Sequence, residues 1–226
     1  MSKIAHEEIR TVLGFLTEEV SAIYGEARKD ALYCDPLTSG RRLDALATID
    51  AMFVSVVAWL APILPFTAEE LWKAAGREGS ATQLMLSDPS RDLKAWNDPE
   101  LGRRWAAVLK GREAVLAGLE AERQAGRIKT GLETYVSFFT RAPDFLAAGL
   151  TDEQFAELCV VSGLSIQDGE EAVTVGAPRG HRCERSWRWF TDVGSDQDYP
   201  MLSARDAKAV REWAEAKDVT EAMERV

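Results

Sequence analysis

Prolines decide where helices can run in the first third of this chain. Asp35-Pro36 ends one apolar-periodic stretch, because proline cannot continue a helix and restricts the residue before it. Upstream, Leu13, Leu16, Val20, Ile23 and Ala27 recur every three or four residues and draw one apolar helical face. A second helix is expected from about Arg41 to Ala61, apolar on most sides from Ala51 to Leu60, until Pro62 and Pro65 break it. Thr67-Ala-Glu-Glu70 then reads as a capping box opening a short helix that stops near Gly76. Helices of fixed length with short breaks define a helical bundle.

The pattern then changes. Residues 77–97 read as a loop rich in Gly, Ser, Asp and Pro. Asp98-Pro99 predicts the start of a long helix with Leu101, Trp105, Val108, Val115 and Leu119 on its apolar stripe and Gly126 at its end. Leu132 to Thr140 is β-branched and aromatic, which predicts a strand; Cys159–Val161 and Ala172–Val175 are further strand candidates, with short helices near 143–148 and 152–157. Residues 178–202 read as irregular, and a last helix is expected from about Ser203 to Lys217. The expected fold is therefore mainly α: a helical bundle over 1–97, a long helix with a small α+β junction unit over 98–177, and an irregular C-terminal module ending in a helix over 178–226.

Charge argues two ways. The 226 residues carry 27 basic and 37 acidic side chains, net −10, which is not the profile of an obvious nucleic-acid binder. The acid is uneven, however. Asp144 to Glu171 is almost wholly negative, whereas Arg103 to Lys129 holds seven basic residues and Arg179 to Arg188 holds four arginines beside Trp187 and Trp189. Phosphate contacts need only such local clusters, although a solvated helix face and a basic loop would look the same. No run of about 18 consecutive apolar residues is present, so no membrane span is expected, and the N-terminus lacks a signal-peptide stretch. Cys34, Cys159 and Cys183 cannot build a disulfide framework, so a reducing cytoplasm is the expected location. With two histidines, no glycine-rich phosphate loop, no nucleophile elbow and no zinc-protease pair, nothing in the chain assembles a catalytic site.

Three stretches taken together are specific: RKDALYCD (Arg28–Asp35) followed by WLAPILPFTAEELW (Trp59–Trp72); Arg104-Trp105 followed by RIKTGLET (Arg127–Thr134); and HRCERSWRWFTDVG (His181–Gly194) followed by YPMLSARDAKAV (Tyr199–Val210). In this order and spacing the chain resembles the C-terminal portion of bacterial isoleucyl-tRNA synthetase, a class I aminoacyl-tRNA synthetase, over nearly its whole length. The resemblance implies an anticodon-binding bundle, truncated at its start, then a junction unit and a module that reads the anticodon loop. It implies tRNA(Ile) as partner, together with the parent enzyme's catalytic and editing domains. It also implies ATP and Mg²⁺ for the intact ligase, with no cofactor in this chain, whose sequence carries neither the HIGH nor the KMSKS signature. A free-standing non-catalytic paralogue serving as a protein-interaction module is the alternative.

The family's C-terminal module is usually a zinc ribbon with two CxxC pairs. Here the first pair has become Cys183-Glu-Arg-Ser186 and the second Ser203-Ala-Arg-Asp206. Structural zinc takes four soft or borderline ligands in a closed tetrahedron, and a hydroxyl is a poor one. Zinc is therefore expected to be lost, its cross-link replaced by Ser203 capping the last helix and by packing of Trp187, Trp189 and Trp213. His181, Cys183 and Asp206 form the makeshift alternative.

The RNA-binding candidates fall into three groups. Arg182, Arg185, Trp187 and Arg188 retain the arginine-tryptophan pattern suited to stacking and edge-reading of unpaired bases. Arg28, Lys29, Arg41 and Arg42 come second, with an ion-pair network to Asp30, Asp35 and Asp44 as the structural alternative. Arg104, Arg112, Arg123 and Lys129, with Arg103 and Arg127, are third; on a helix, 104, 112 and 123 fall near one face, suited either to tracking phosphates or to solvation.

Overall fold

A computed structural model describes residues 3–84 and 97–224; residues 85–96, which fall in the expected 77–97 loop, lie outside the described residues. The chain is mainly helical with two small sheets. It divides into two compact units, Met1–Ile23 with Leu43–Asp98, and Tyr24–Arg42 with Pro99–Val226.

The first unit is helical. The expected opening helix is three segments: α1 (Lys3–Gly14), a π-helical stretch Phe15–Gly25, and α2 (Glu26–Cys34), whose residues belong to the second unit. The wider i→i+5 winding shifts the apolar set away from a 3.6-residue repeat. α3 (Gly40–Leu60) ends where the prolines require. It is long and apolar enough to cross a membrane by length and composition, although Asp44 and Asp50 interrupt its apolar run. Asp50 is ion-paired with Arg77.

α4 (Pro65–Ala74) corrects the expected cap. Its N-cap is three residues earlier, at Leu64 in place of Thr67, with Pro65 at the first helical position, so Thr67 lies inside the helix. Proline at the first helical position is itself a start signal and prevailed over the Thr–Glu pair. Val57, Ala61, Ala68, Trp72 and Ala81 form this unit's core, with Phe53 stacked on Trp72 at 6.2 Å between ring centroids. The Trp72 indole N–H donates to Glu78 O at 2.9 Å, so the ring is buried without an orphaned donor.

The second unit is built on α5 (Pro99–Gln124), which begins at the expected proline. Against it lies a three-stranded sheet of order β2-β1-β3. β1 (Tyr135–Thr140) is central, parallel to β2 (Gly163–Asp168) and antiparallel to β3 (Ala172–Gly176), with Phe138 opposite both Ile166 and Val173. Its residues alternate, Val136, Phe138 and Thr140 being buried, as a half-covered sheet requires. The β1–β2 crossover carries α6 (Pro143–Leu146) and α7 (Asp152–Cys159). Phe138, Phe145 and Phe155 meet at centroid distances of 5.0–5.3 Å. Gly111 of α5 lets the helix come down on this trio: a Cβ there would stand 2.9 Å from the Phe145 ring and 3.1 Å from Phe138.

Cys159–Val161 is not a strand. Thr151 and Gln154 make a reciprocal capping box that starts α7, and the helix ends with Val160 left-handed (φ 55°) and Val161 N–H donating to Ala156 O. That is a Schellman stop with valine where glycine is usual, so its ordinary signal was missing. The strand lies just after it, as β2. Residues 178–202, expected to be irregular, contain a two-stranded ribbon, β4 (His181–Arg182) with β5 (Trp189–Phe190). The last helix, α8, spans Ala204–Glu224.

Candidate nucleic-acid interface

The C-terminal ribbon is closed by a tight turn. Cys183 N–H donates to Arg188 O at 2.8 Å and Trp187 N–H to Cys183 O at 2.9 Å. Gly180 (φ 82°) leads into β4 with its Cα against the Phe190 carbonyl, where a Cβ would stand 2.1 Å from the oxygen, so no other residue fits. The turn places Trp187 at φ 62°, a left-handed conformation costly for a bulky side chain, and leaves it 64 % exposed. Arg182 on β4 is also exposed, and Arg179 stacks its guanidinium 4.0 Å from the Tyr135 ring centroid.

The arginines on either side of Trp187 point elsewhere. Arg185 donates to Cys34 O (2.5 Å), Tyr33 O (2.8 Å) and the Asp206 carboxylate (2.9 Å). Arg188 donates to Val161 O at 2.6 Å and lies 3.6 Å from Asp30. Arg205 binds Asp30, Asp35 and Asp206. Arg41 reaches Asp30, Asp35 and Glu157, and Arg28 pairs with Glu157 at 3.0 Å. Five guanidiniums thus interleave with four carboxylates, the structural alternative for Arg28 and Arg41 extended across the unit. Burial alone would raise the Asp30 carboxyl, but the hydrogen bonds and charge of Arg205, with Arg188 and Arg41 nearby, outweigh it and hold that acid below its ordinary range.

The other candidates also have protein partners. Arg42 donates to Leu32 O and lies 5.1 Å over the Trp213 ring; Lys29 pairs with Glu26 while staying largely exposed. Arg112 donates to Leu158 O at 2.9 Å, so it anchors α5 to the end of α7. Arg104 reaches Ala147 O, Arg103 pairs with Asp144, Arg123 with Glu120 and Arg127 with Glu122. The Lys129 side chain is exposed. The structure therefore brings Arg28, Arg41, Arg185 and Arg188 together as a network and leaves Trp187, Arg182, Lys29 and Lys129 facing solvent. Arg205 was missed as a functional position; its only sequence signal was its place next to Asp206.

Three of the four positions assigned to zinc by resemblance converge, Ser186, Ser203 and Asp206, and the fourth, Cys183, is buried on the same turn as Ser186. Asp206 is fully buried and accepts from Ser203 Oγ (2.7 Å), Ser186 Oγ (3.1 Å), Arg205 (2.9 Å) and Arg185 (2.9 Å). Ser203 caps α8 through the Asp206 N–H at 3.2 Å, as expected, but Trp187 and Trp213 are exposed and do not pack there. This donor set does not suit zinc. It offers one thiol, two hydroxyls donating to a carboxylate, and a carboxylate already satisfied on both oxygens. His181 is exposed on β4, and no group of three or more His, Cys, Asp or Glu among the described residues could hold a metal ion.

Beside the ribbon lies a groove of about 330 Å³ lined by Lys29, Tyr33, Cys34, Leu132, Val160, Ser186 and Arg188, among others. Tyr33 is 72 % exposed at its edge. Base-sized concavity, an aromatic rim and cationic side chains are what single-stranded nucleic acid uses.

The chain is a mainly helical protein with a small α+β portion, and residues 5–137 match the family described as the anticodon-binding domain of tRNA ligases, to which the chain belongs. More particularly, it is 39 % identical over 216 residues to the isoleucine–tRNA ligase of Brucella abortus biovar 1 (strain 9-941), covering 90 % of this chain and 22 % of that protein. It is 38 % identical over 222 residues to the enzyme of Agrobacterium fabrum and 35 % over 218 residues to that of Bradyrhizobium diazoefficiens, again 22 % of each. The chain thus spans about a fifth of the length of the curated relatives it matches. Similarity to isoleucine–tRNA ligases extends past the family match, through Glu157 and the C-terminal ribbon.

Proposed function

We propose that this chain binds the anticodon stem and loop of tRNA(Ile), as the non-catalytic, RNA-recognising part of an isoleucine–tRNA ligase. Trp187 carries the reading. A bulky side chain held left-handed and exposed at the tip of a ribbon is strained without a partner, and an unstacked base is the partner its surface suits. Arg182 and Lys29 supply charge, and the Tyr33 groove takes a splayed base. The arginine network fixes the ribbon against α2, so that Trp187 is presented rigidly. In this reading the catalytic and editing domains of the ligase carry out the ATP- and Mg²⁺-dependent chemistry, and the location is cytoplasmic. The test is binding of tRNA(Ile) against the same tRNA with a swapped anticodon; equal affinities would sink the specificity claim. A salt slope near zero would exclude phosphate contact.

The alternative, a protein-interaction module, is favoured by one observation in the helical unit: Phe66 is 85 % exposed on α4, and Leu43 and Trp59 of α3 are partly bare. If that reading holds, neither tRNA binds and the apolar side chains of α3 and α4 carry the contact.

A further inference from the structure

We propose that the guanidiniums of Arg185 and Arg205 do for the C-terminal module what a metal ion does for a ribbon, joining its two turns without a metal. The two turns that would each supply a ligand pair are still in register: Cys183 and Ser186 sit on the turn closed by Trp187 N–H, and Glu184 N–H donates to Met201 O at 3.2 Å on the segment leading to Ser203. Cys183, Ser203 and Asp206 are fully buried, so the site has kept the seclusion of a closed structural centre.

What has changed is the source of positive charge. In place of a divalent ion among four thiolates, a single carboxylate sits at the centre and accepts four hydrogen bonds, two from serine hydroxyls and two from guanidiniums. Oδ2 accepts three of these bonds and Oδ1 the fourth, from Arg185, so both oxygens are engaged by donors and the carboxylate already has its counter-charge in two guanidiniums. A guanidinium also does something an ion cannot: its remaining N–H groups reach outward. Arg185 continues to the carbonyls of Tyr33 and Cys34 at the end of α2, and Arg205 to Asp30 and Asp35. The cross-link that zinc would confine to two turns here extends to a helix. Arginine suits this because its rigid planar fork presents five donors in fixed directions, whereas lysine offers one compact point charge on a flexible stem.

The inference rests on the ligase relationship only for the choice of the four positions, and its test involves no RNA. Metal analysis of the full chain is expected to find no stoichiometric zinc, and EDTA is expected to leave Tm unchanged. Arg185→Gln is expected to lower Tm, with no recovery on adding zinc. In the converse direction, Ser186→Cys/Ser203→Cys/Asp206→Cys beside Cys183 is expected to bind one Co²⁺ with the thiolate charge-transfer and tetrahedral d–d bands of a four-sulfur site, and zinc is expected to raise its Tm. One zinc per wild-type chain, or a wild-type Tm that falls on chelation, would overturn the proposal. So would a folded triple variant that binds neither cobalt nor zinc, because the four positions would then not converge, whereas recovery of the variant only with zinc present would support their convergence.

Discussion

Arg205 grips Asp30 with both terminal nitrogens, Nη1 to Oδ2 at 2.5 Å and Nη2 to Oδ1 at 3.1 Å, with Asp30 only 13 % and Arg205 22 % exposed. Removing one partner leaves the other charge buried, which is costlier than the net worth of the pair. Asp30→Asn is therefore expected to lower unfolding free energy by about 3 kcal/mol, read from urea titration. A loss indistinguishable from that of an exposed pair such as Arg141–Asp168 would show that solvent screens the network.

The same acid sets a pH dependence. Asp30 is held below its ordinary 3.8, so the unfolded chain takes up its proton first as pH falls. Its contribution is present in full above that ordinary value and is lost as pH drops through the folded-state pKa. Stability measured between neutral and strongly acid pH is expected to fall in the acid range, and more shallowly in Asp30→Asn.

Trp187 separates binding from folding. It is exposed and strained, so Trp187→Ala is expected to leave Tm nearly unchanged while weakening tRNA(Ile) binding by about 1–3 kcal/mol, the value of one stacked base. A fall in Tm with unaltered affinity would make it a packing residue instead.

Elsewhere in the unit, α5 has no room for a side chain at Gly111. Gly111→Val would push two methyl groups into the Phe138–Phe145 contact and is expected to cost about 1–3 kcal/mol, measured by thermal or urea unfolding. An unchanged midpoint would mean that the helix can ride away from the sheet freely.

The thiols are predicted to be sluggish. Burial, then the carboxylates of Asp30 and Asp206, push Cys34 up to about 11, and burial pushes Cys159 up to about 12. The thiolate is the nucleophile, so alkylation by iodoacetamide at mildly alkaline pH is expected to be slow for both until urea unfolds the chain. Rapid labelling of Cys34 in the native protein would contradict its setting.

Local signals carried most of the helices. Pro99 and the prolines after Leu60 marked ends that the structure keeps, and the Leu132–Thr140 pattern held the central strand. What the sequence hid was tertiary. Val160 stops a helix in a conformation glycine normally takes, so a Schellman turn imitated a strand. Thr67–Glu70 matched a capping box that proline pre-empted. For the site, the cluster around Trp187 was visible, but not the division of labour within it. Arg185 and Arg188 flank Trp187 in sequence, yet they turn inward because Asp206 and Asp30 are there to receive them, and no local pattern reveals acids so distant along the chain.

That distance has a kinetic side. Asp30 and Arg205 are 175 positions apart, and Arg28 and Glu157 are 129 apart. Contacts of such separation repay their loop-closure entropy only late. During synthesis α2 emerges early, with Asp30 and Asp35 still solvated, and the arginines that enclose them follow only with the ribbon and α8. The surface that presents Trp187 is consequently among the last parts of the chain to become rigid.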